Sequence, residues 1–443
     1  MKKPSLPHLS IWQLFNLSFG FLGIQIGYSL QSSNTSRILS ALGANVEHLS
    51  YFWLAAPVAG LLVQPIVGLS SDRLWTRIGR RIPFILFGAI ISSIAMFLMP
   101  NAEHFVNLLP ALAFGAFVLL FMDTAFNITM QPFRALVGDM VSDKQRNIGY
   151  SIQSFLINVG AVVGSLLPFI LDFAGVSNTP LNGAKVAPTV IWAFYIGGGC
   201  LLFSVLWTAF GTKEYPPAEY AQYHEITENT QAKTSFISLL NEMPSMMLKL
   251  GVVQFFSWFA LFIMWVYTTS AIAQNVWHTA ATDSTSAAFN DAGNWVGVIF
   301  AAYSFFAAIY ALFMSKLADK FGRKSVYLFS LAIGGLGLIS IVFIHDKYWL
   351  LVSMIGVGIA WAAILAMPYA ILSAVLPAEK IGVYMGIFNA TITIPQIAAG
   401  LLGGIILKSL VNNNAVLMLG VAGISMLLAA LSVIFLKESH KNA

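Results

Sequence analysis

The sequence predicts an all-α integral membrane protein with twelve transmembrane helices in two six-helix halves. Three observations support this fold class. Hydrophobic residues make up 58% of the 443 residues and charged residues only 9%, against about 25% charged residues in an ordinary soluble domain. Apolar runs of about 20 residues, the length a helix needs to cross a bilayer, recur along the chain. One long polar stretch divides these runs into two sets of six.

Twelve apolar runs are long enough to be membrane-spanning helices. They do not read as barrel strands, which alternate apolar and polar residues over about ten positions. Gln25, Tyr28 and Gln31 interrupt the first run, so we interpret it as a retained helix and not as a cleaved signal peptide. The predicted spans are 11–31, 48–69, 83–100, 107–140, 147–171, 189–211, 250–275, 293–314, 325–344, 348–376, 382–408 and 413–436.

The lysine and arginine residues predict the orientation of the chain, because cytoplasmic loops carry an excess of both. With the N-terminus inside, 18 of the 23 basic residues lie on the cytoplasmic side. The outer loops keep Arg37, Lys185, Lys347 and Lys408, and Arg134 lies inside a span. Both termini are therefore expected in the cytoplasm. The net charge of +5 then follows from topology and does not indicate nucleic-acid binding.

The polar stretch at 212–249 divides the chain into an N-terminal half, 1–211, and a C-terminal half, 250–443, with a short cytoplasmic tail. A weak repeat supports this division. DRLWTRIGRR (72–81) lies between spans two and three, and DKFGRK (319–324) lies between spans eight and nine. Two six-helix halves that share a loop motif at the same place are typical of the major facilitator fold.

The loop motif combines an acidic residue with basic residues around a glycine, at the cytoplasmic end of the second helix of each half. We interpret it as a latch in which Asp72 and Asp319 bridge to neighbouring helix ends and which opens as the halves rock. The alternative is that its basic residues only hold the loops inside. The predicted latch residues are Asp72, Arg73, Arg80, Arg81, Asp139, Asp319 and Arg323.

The fourth span carries ionisable residues inside a predicted membrane helix, where such groups are costly and functional by default. Asp123 and Arg134 lie within about 20° of one helix face and about 16 Å apart along the axis. Asn127 joins this polar face, which we expect to line a cavity. A direct pair between Asp123 and Arg134 would need a kink at Pro132. Asp139 falls about 160° from Asp123 and is expected to join the latch.

Four strings in the sequence resemble the sugar/cation symporters of the major facilitator superfamily, a group that includes plant sucrose/proton symporters and bacterial maltose and sucrose transporters. The main strings are FMDTAFNITMQPFRALVGDM (121–140) and GLSSDRLWTRIGRRIPF (68–84). GIAWAAILAMPYAILSAVLP (358–377) and GVYMGIFNATITIPQIAAGL (382–401) extend the likeness more loosely into the second half. The resemblance covers most of the membrane portion.

The resemblance implies a major facilitator fold and two roles in the fourth span. Asp123 would carry the proton and contact a sugar hydroxyl, and Arg134 would be a gating or binding cation. Burial disfavours the charged form of a carboxylate, so a proton-exchanging role for Asp123 also follows from physical chemistry. The string QPFRA departs from the plant proteins, which place Gly and Cys around the proline, and this departure leaves the substrate choice open.

In this architecture the first, fourth, seventh and tenth helices line the path, so further substrate-binding residues are sought mainly there. A sugar has apolar ring faces and a polar rim, which suit aromatic rings together with amides. The alternative is that these side chains pack the helices or lie in the interfacial aromatic belt. The candidates are Gln25, Tyr28, Gln254, Trp258, Trp265, Trp361, Tyr369 and, in span eleven, Asn389.

We therefore expect proton-coupled import of a glucoside disaccharide by alternating access, with maltose as the first choice and sucrose as the second. The alternatives are a sugar uniporter and a sugar sensor without transport. An intramembrane enzyme is disfavoured because the seven histidines lie at span edges or in loops. We expect a monomer in the cell inner membrane whose partners are sugar, protons and the lipid bilayer, with no cofactor, metal ion or nucleic acid.

Overall fold

A computed structural model describes residues 6–142, 145–181, 183–224, 243–280, 283–373 and 387–436. The regular elements in these ranges are helices, which we number in chain order. The α-helices are α1 Ile11–Ser18, α2 Gly20–Ala41, α3 Leu49–Phe52, α4 Ala55–Arg73, α5 Ile82–Leu98, α6 Ala111–Met140, α7 Arg146–Phe173, α8 Pro188–Gly211, α9 Pro217–His224, α10 Ser245–Asn275, α11 Ala287–Phe321, α12 Arg323–Ser340, α13 Leu350–Ser373, α14 Ala390–Ser409 and α15 Ala415–Val433.

Eleven helical segments among the described residues are long and apolar enough to cross a membrane. They correspond to predicted spans two to twelve. The first predicted span, 11–31, ends too early, because α2 continues to Ala41. At about 1.5 Å per residue, the 22 residues of α2 are about 33 Å long, which is sufficient to span the hydrocarbon core. Counted with α2, the described residues provide the predicted twelve membrane-spanning helices.

The second half of α2 stays helical although it is polar, because partners in the protein satisfy its side chains. Ser36 Oγ donates a hydrogen bond to the carbonyl oxygen of Val266 at 2.8 Å and accepts one from Trp53 Nε1 at 3.0 Å. A buried polar group with such partners does not need water. Hydropathy alone therefore places the end of this helix incorrectly.

Contacts divide the chain into two compact units. The first unit is Met1–Gln31, Ala59–Leu167 and Val190–Leu239, and the second is Ser32–Val58, Pro168–Thr189 and Leu240–Ala443. The second unit thus contains the ends of α2 and α7 in addition to the C-terminal part of the chain. The division of the sequence at 212–249 follows the repeat and not the contacts, and it stays a prediction.

Within the first unit, small residues bring α2 close to α7. A Cβ atom added at Gly160 would overlap the carbonyl oxygen of Leu22, and one added at Gly164 would overlap that of Ile26. Glycine at these positions lets the two backbones approach, as is common between membrane helices. This packing fixes the part of α2 that ends at Gln31, while α5 packs along α6.

Within the second unit, α10 is the central helix and packs against α14 and α15, while α13 packs against α11 and α12. Buried residues occur on all faces of α10 from Met247 to Ala273, as expected for a helix that is surrounded by protein. α10 begins at Ser245, slightly before the predicted start at 250. Parts of the predicted linker and of spans ten and eleven, 225–242 and 374–386, lie outside the described residues.

Candidate functional site

Asp123 lies within α6 and is only 2% exposed. Its Oδ1 atom accepts a hydrogen bond from Gln31 Nε2 of α2 at 2.5 Å. α6 continues past Pro132, as membrane helices can where neighbouring groups satisfy the freed backbone atoms. The fold thus brings an acid and an amide from two helices into direct contact inside the first unit.

Two oxygen atoms of this pair lack a donor. Asp123 Oδ2 and Gln31 Oε1 are both buried, and neither has a hydrogen-bond partner among the described residues. Leaving a buried polar atom unsatisfied costs about 1–3 kcal/mol, and such atoms in native proteins require an explanation. A proton or a hydrogen-bonding ligand would satisfy them.

Asn127 extends the polar face of α6 by one turn. Its Nδ2 donates to the backbone carbonyl of Asp123 at 2.8 Å, and its Oδ1 accepts from Gln64 Nε2 of α4 at 2.6 Å. Gln64 was not predicted as a site residue. Its position as an amide within an apolar run was the only signal in the sequence.

Arg134 lies further along α6, and its side chain is exposed. The eleven positions that separate it from Asp123 correspond to about 16 Å along the helix. Among the described residues, Gln31 is the side-chain partner of Asp123. A direct ion pair between Asp123 and Arg134 is therefore not formed in this structure.

The two predicted site residues of α2, Gln25 and Tyr28, precede Gln31 by six and three positions on that helix. The ring of Tyr28 packs edge-on against Phe126, which lies three positions after Asp123 on α6, with 6.0 Å between the ring centroids. Gln25 is half-buried and lies on the side of α2 that approaches Gly160. Of the two, Tyr28 is positioned by direct contact with α6.

Three predicted tryptophans of the second unit form a cluster. The ring centroids of Trp258 and Trp265 in α10 are 5.8 and 5.9 Å from that of Trp361 in α13. Tyr303 of α11, which was not predicted, completes the cluster: its ring centroid is 6.3 Å from that of Trp361, and its hydroxyl accepts a hydrogen bond from Trp265 Nε1 at 3.4 Å. Trp258 Nε1 is buried without an acceptor among the described residues.

Gln254 lies one turn before Trp258 on α10 and is fully buried. Its Oε1 accepts a hydrogen bond from the hydroxyl of Tyr327 at 3.1 Å. Elsewhere in the second unit, the hydroxyl of Tyr369 donates to Asn389 Oδ1 at 3.4 Å, next to the N-terminus of α14. Gln254 therefore lies one helical turn from Trp258 on α10. Tyr369 and Asn389 are joined by a hydrogen bond.

Asp139, at the end of α6, forms the centre of an ionic cluster in the first unit. Its Oδ2 accepts from Arg80 Nη2 at 2.6 Å and from Arg81 Nε at 2.9 Å. The guanidinium of Arg80 also lies over the ring of Tyr220, 3.9 Å from its centroid. Burial lowers the pKa of Arg80, but the charge and hydrogen bond of Asp139 outweigh this effect and raise it above its ordinary value.

Glu214, which was not predicted, holds the same loop from the other side. Its carboxylate accepts hydrogen bonds from the backbone N–H groups of Arg80, Arg81 and Ile82 at 3.1, 2.9 and 2.9 Å. Burial raises the pKa of the Glu214 carboxyl, and the three donors offset only part of the rise. An anion at the start of α5 also complements the dipole of that helix.

The equivalent loop of the second half is built differently. Asp319 is exposed and has no ion pair among the described residues. The basic residues bind backbone carbonyl oxygens instead. Arg323 donates to that of Ala370 at 2.6 Å, and Lys324 donates to that of Ile434 at 2.7 Å. These cations therefore bind the C-terminal ends of α13 and α15, where positive charge is favoured. The side chains of Asp72 and Arg73 lie outside the described residues.

Arg37 was expected in an outer loop, and this expectation is wrong. It lies inside α2 of the second unit and is 2% exposed. Its guanidinium donates to Oδ1 of Asn290 at 2.8 and 3.0 Å, of Asn294 at 2.8 Å and of Asn178 at 2.7 Å. The amides of Asn178 and Asn294 donate in turn to Asp291 and Asp172, at 2.8 and 3.2 Å.

The Major Facilitator Superfamily model matches residues 17–289 and, in a second match, residues 250–443. The chain belongs to the Major Facilitator Superfamily. This result confirms the predicted twelve-helix fold class and the resemblance of the sequence to this superfamily. The members of the superfamily are transporters, so the chain is a transport protein and not an enzyme.

Several curated proteins are similar in sequence. The general alpha-glucoside permease of Schizosaccharomyces pombe is 29% identical over 283 residues, which are 61% of this chain and 50% of the permease. The chain thus aligns with half the length of that relative. Sucrose transport protein SUC4 of Arabidopsis thaliana is 26% identical over 412 residues, 85% of this chain and 80% of SUC4.

Solved structures of two transporters share the fold. The nucleoside transporter NupG superposes with a TM-score of 0.66 at 14% identity, over 97% of this chain and 100% of NupG. The peptide transporter POT in complex with sulfate has a TM-score of 0.68 at 14% identity, over 97% of this chain and 96% of POT. At these identities the comparison concerns the fold alone.

Proposed function

We propose that this superfamily member imports a glucoside disaccharide together with protons, by alternating access across the cell inner membrane, with both termini in the cytoplasm. Maltose is the first choice and sucrose the second. The names of the similar proteins, an alpha-glucoside permease and sucrose transport proteins, support a sugar substrate. The chemistry of α6 supports coupling to protons.

The observation that carries the proposal is the half-satisfied carboxyl group of Asp123. A carboxylate that is 2% exposed, with one oxygen lacking a donor, gains from taking up a proton or from binding a hydroxyl group. Because the group is buried in this structure, exchange with bulk water requires a movement of the surrounding helices. Alternating access supplies such a movement, first towards one side of the membrane and then towards the other.

Aromatic rings of the second unit support a sugar as the substrate. Trp258, Trp265 and Trp361 bring three indole rings together, and an indole face suits the apolar faces of a sugar ring. The proposed polar contacts to the sugar hydroxyls are Gln25, Tyr28, Asp123, Asn127, Arg134, Gln254, Tyr369 and Asn389.

The loop clusters suit a gating role. Asp139 binds Arg80 and Arg81 at 2.6 and 2.9 Å, and Arg323 binds a helix end. Contacts of this kind can hold the helix ends in one arrangement and break in another. We assign Asp72, Arg73 and Asp319 to the same latch from their places in the repeated motif.

The test is Asp123→Asn in proteoliposomes, with a panel of radiolabelled sugars and an imposed pH gradient. We expect the variant to lose uphill uptake and sugar-evoked alkalinisation, while exchange of labelled sugar across the membrane survives. An amide has nearly the shape of the carboxyl group but carries no proton between the two sides.

The matched control is Asp346→Asn, which changes an exposed aspartate and should leave uptake unchanged. Concentrative uptake that persists in Asp123→Asn would refute the proton role of this residue. Sugar equilibration that ignores the pH gradient in the wild-type protein would identify a uniporter. Sugar binding without any flux would identify a sensor.

A further inference from the structure

Gln31 is the only side chain of the described residues that binds the Asp123 carboxyl group. It is 5% exposed. One end of its amide, Nε2, contacts Asp123 at 2.5 Å, and the other end, Oε1, is buried without a donor. The amide thus has one end on the acid and one end available for a ligand.

The protonation state of Asp123 decides which end of the amide faces it. An ionised carboxylate only accepts hydrogen bonds, so the amide must turn its NH2 group towards it. A protonated carboxyl group has one O–H donor, which can donate to Gln31 Oε1 instead. The two arrangements differ by about half a turn of the amide, and each keeps one hydrogen bond between the two side chains.

We propose that Gln31 links the proton to the sugar: protonation of Asp123 turns the amide, so that its NH2 group is presented to the substrate only in the protonated state. The inference rests on the proposed function, since it assumes a sugar ligand at Asp123. The proton comes from bulk water on one side of the membrane, bonds to a carboxyl oxygen of Asp123, and returns to bulk water on the other side.

The change matters because of what the site offers in each state. With Asp123 ionised, Oδ2 and Gln31 Oε1 are two acceptors, so a sugar hydroxyl can bind them only as a donor and its own oxygen, like the ring oxygen, receives no hydrogen bond from them. With Asp123 protonated, the site offers the NH2 donors of Gln31 beside the carbonyl oxygen of the acid. A hydroxyl group both donates and accepts, so it can bind both ends of the mixed pair. Sugar therefore binds more tightly to the protonated site, and by linkage it strengthens proton binding by the same factor.

Few other ionisable groups face Asp123. On α2, Tyr28 packs against Phe126, and Arg37 lies six positions beyond Gln31 with its guanidinium bound to asparagine oxygens. On α4, the ionisable residues are Asp72 and Arg73 at the far end of the helix, and α5 carries none between Ile82 and Leu98. On α6 itself, Arg134 lies about 16 Å away along the axis. The amide of Gln31 is thus the direct route by which the state of Asp123 reaches a ligand.

The test measures sugar affinity of the purified full-length protein at about pH 5.5 and about pH 8, with radiolabelled maltose and sucrose. For the wild type we expect affinity to fall about tenfold at the higher pH, within the usual range of coupling between two ligands. Gln31→Met keeps the size of the side chain and removes both ends of the amide. We expect it to bind with the weak affinity of the wild type at high pH and to change less than about twofold with pH.

Gln153→Met is the matched control, because Gln153 is a second buried glutamine of the first unit with an unsatisfied amide. It should keep the tenfold change. Gln31→Glu is the second variant, in case the methionine variant does not fold. Glutamate can share a proton with Asp123 but lacks the NH2 donors, so we expect it to lose the gain in affinity at low pH as well.

A wild-type pH dependence in either Gln31 variant would overturn the inference and leave the proposed function intact. The proposed function fails in a different way: the wild-type protein itself would then bind no sugar at either pH, and this inference would fall with it. Asp123→Asn, which is always neutral, should bind sugar equally at both pH values. A pH dependence that survives in Asp123→Asn would place the proton on another group and overturn the inference.

Discussion

Arg37 and Asp123 are both ionisable, both 2% exposed and both carried by membrane-spanning helices, yet they are treated in opposite ways. In the second unit, all three nitrogens of the Arg37 guanidinium donate to amide oxygens at 2.7 to 3.0 Å. In the first unit, Asp123 has one donor at 2.5 Å and one oxygen with none among the described residues.

The difference separates a structural charge from a reactive one. A buried charge with a partner on each of its nitrogens gains little from a ligand, and removing a partner leaves it uncompensated. A buried carboxyl group with an unused oxygen gains from each proton or hydroxyl group that reaches it. Both residues meet the rule that intramembrane charges are functional by default, and only their partners distinguish them.

The largest effect is expected from breaking the Arg37 network. Asn290→Leu removes the amide oxygen that binds two nitrogens of Arg37, and leaving a buried charge without its partner costs about 3–5 kcal/mol. We expect the melting temperature in detergent to fall by about 10 °C. Asn158→Leu, whose amide binds the backbone of its own helix, should shift it far less. Equal melting of Asn290→Leu and wild type would show that the network does not hold the second unit.

Asp123→Asn should change stability in the opposite direction. The substitution removes the cost of a buried charged form and adds an NH2 group that can donate to Gln31 Oε1. We expect a gain of about 1 kcal/mol, or a rise of about 2–4 °C in melting temperature, in the variant that loses uphill uptake. A fall in melting temperature comparable with that of Asn290→Leu would mean that Asp123 is a structural charge like Arg37.

The smallest effect is expected at Glu214, a buried carboxylate of the first unit that does have three donors. Burial raises its pKa in the folded chain, so its stabilising contribution is complete below about pH 4.3, the ordinary value of glutamate, and is lost as the pH rises through the folded-state value. Glu214→Gln cannot ionise. The melting temperature of the wild type relative to this variant should therefore fall by about a degree or two over that window.

Glu219→Gln, an exposed neighbour on α9, is the control for this pH series and should follow the wild type at each pH. A wild-type advantage over Glu214→Gln that grows with pH would contradict the expected sign. It would show that the three N–H donors, and not burial, dominate at Glu214.

Residues of the candidate site could be proposed from the sequence where they were unusual for their surroundings. Asp123 was conspicuous as an acid in an apolar run, and the three tryptophans were proposed as aromatic residues of the seventh and tenth spans. Gln31 and Glu214 were missed because glutamine and glutamate near a span edge have many ordinary roles, and Gln64 because a single amide within an apolar run has them too. Arg37 was misplaced because its run of polar neighbours suggested a loop, and only its three asparagine partners explain why the helix continues.

The sequence alone determined the membrane, the number of spans, the repeat and the acid in the fourth helix, because each depends on a residue and its near neighbours along the chain. Tertiary structure decided which buried charge is satisfied and which is not. The hydrogen-bonded residues Gln31 and Asp123 are 92 positions apart in the sequence, and Arg37 and Asn290 are 253 positions apart. No local pattern encodes a contact over that distance, since it depends on how glycines and side chains let the helices pack.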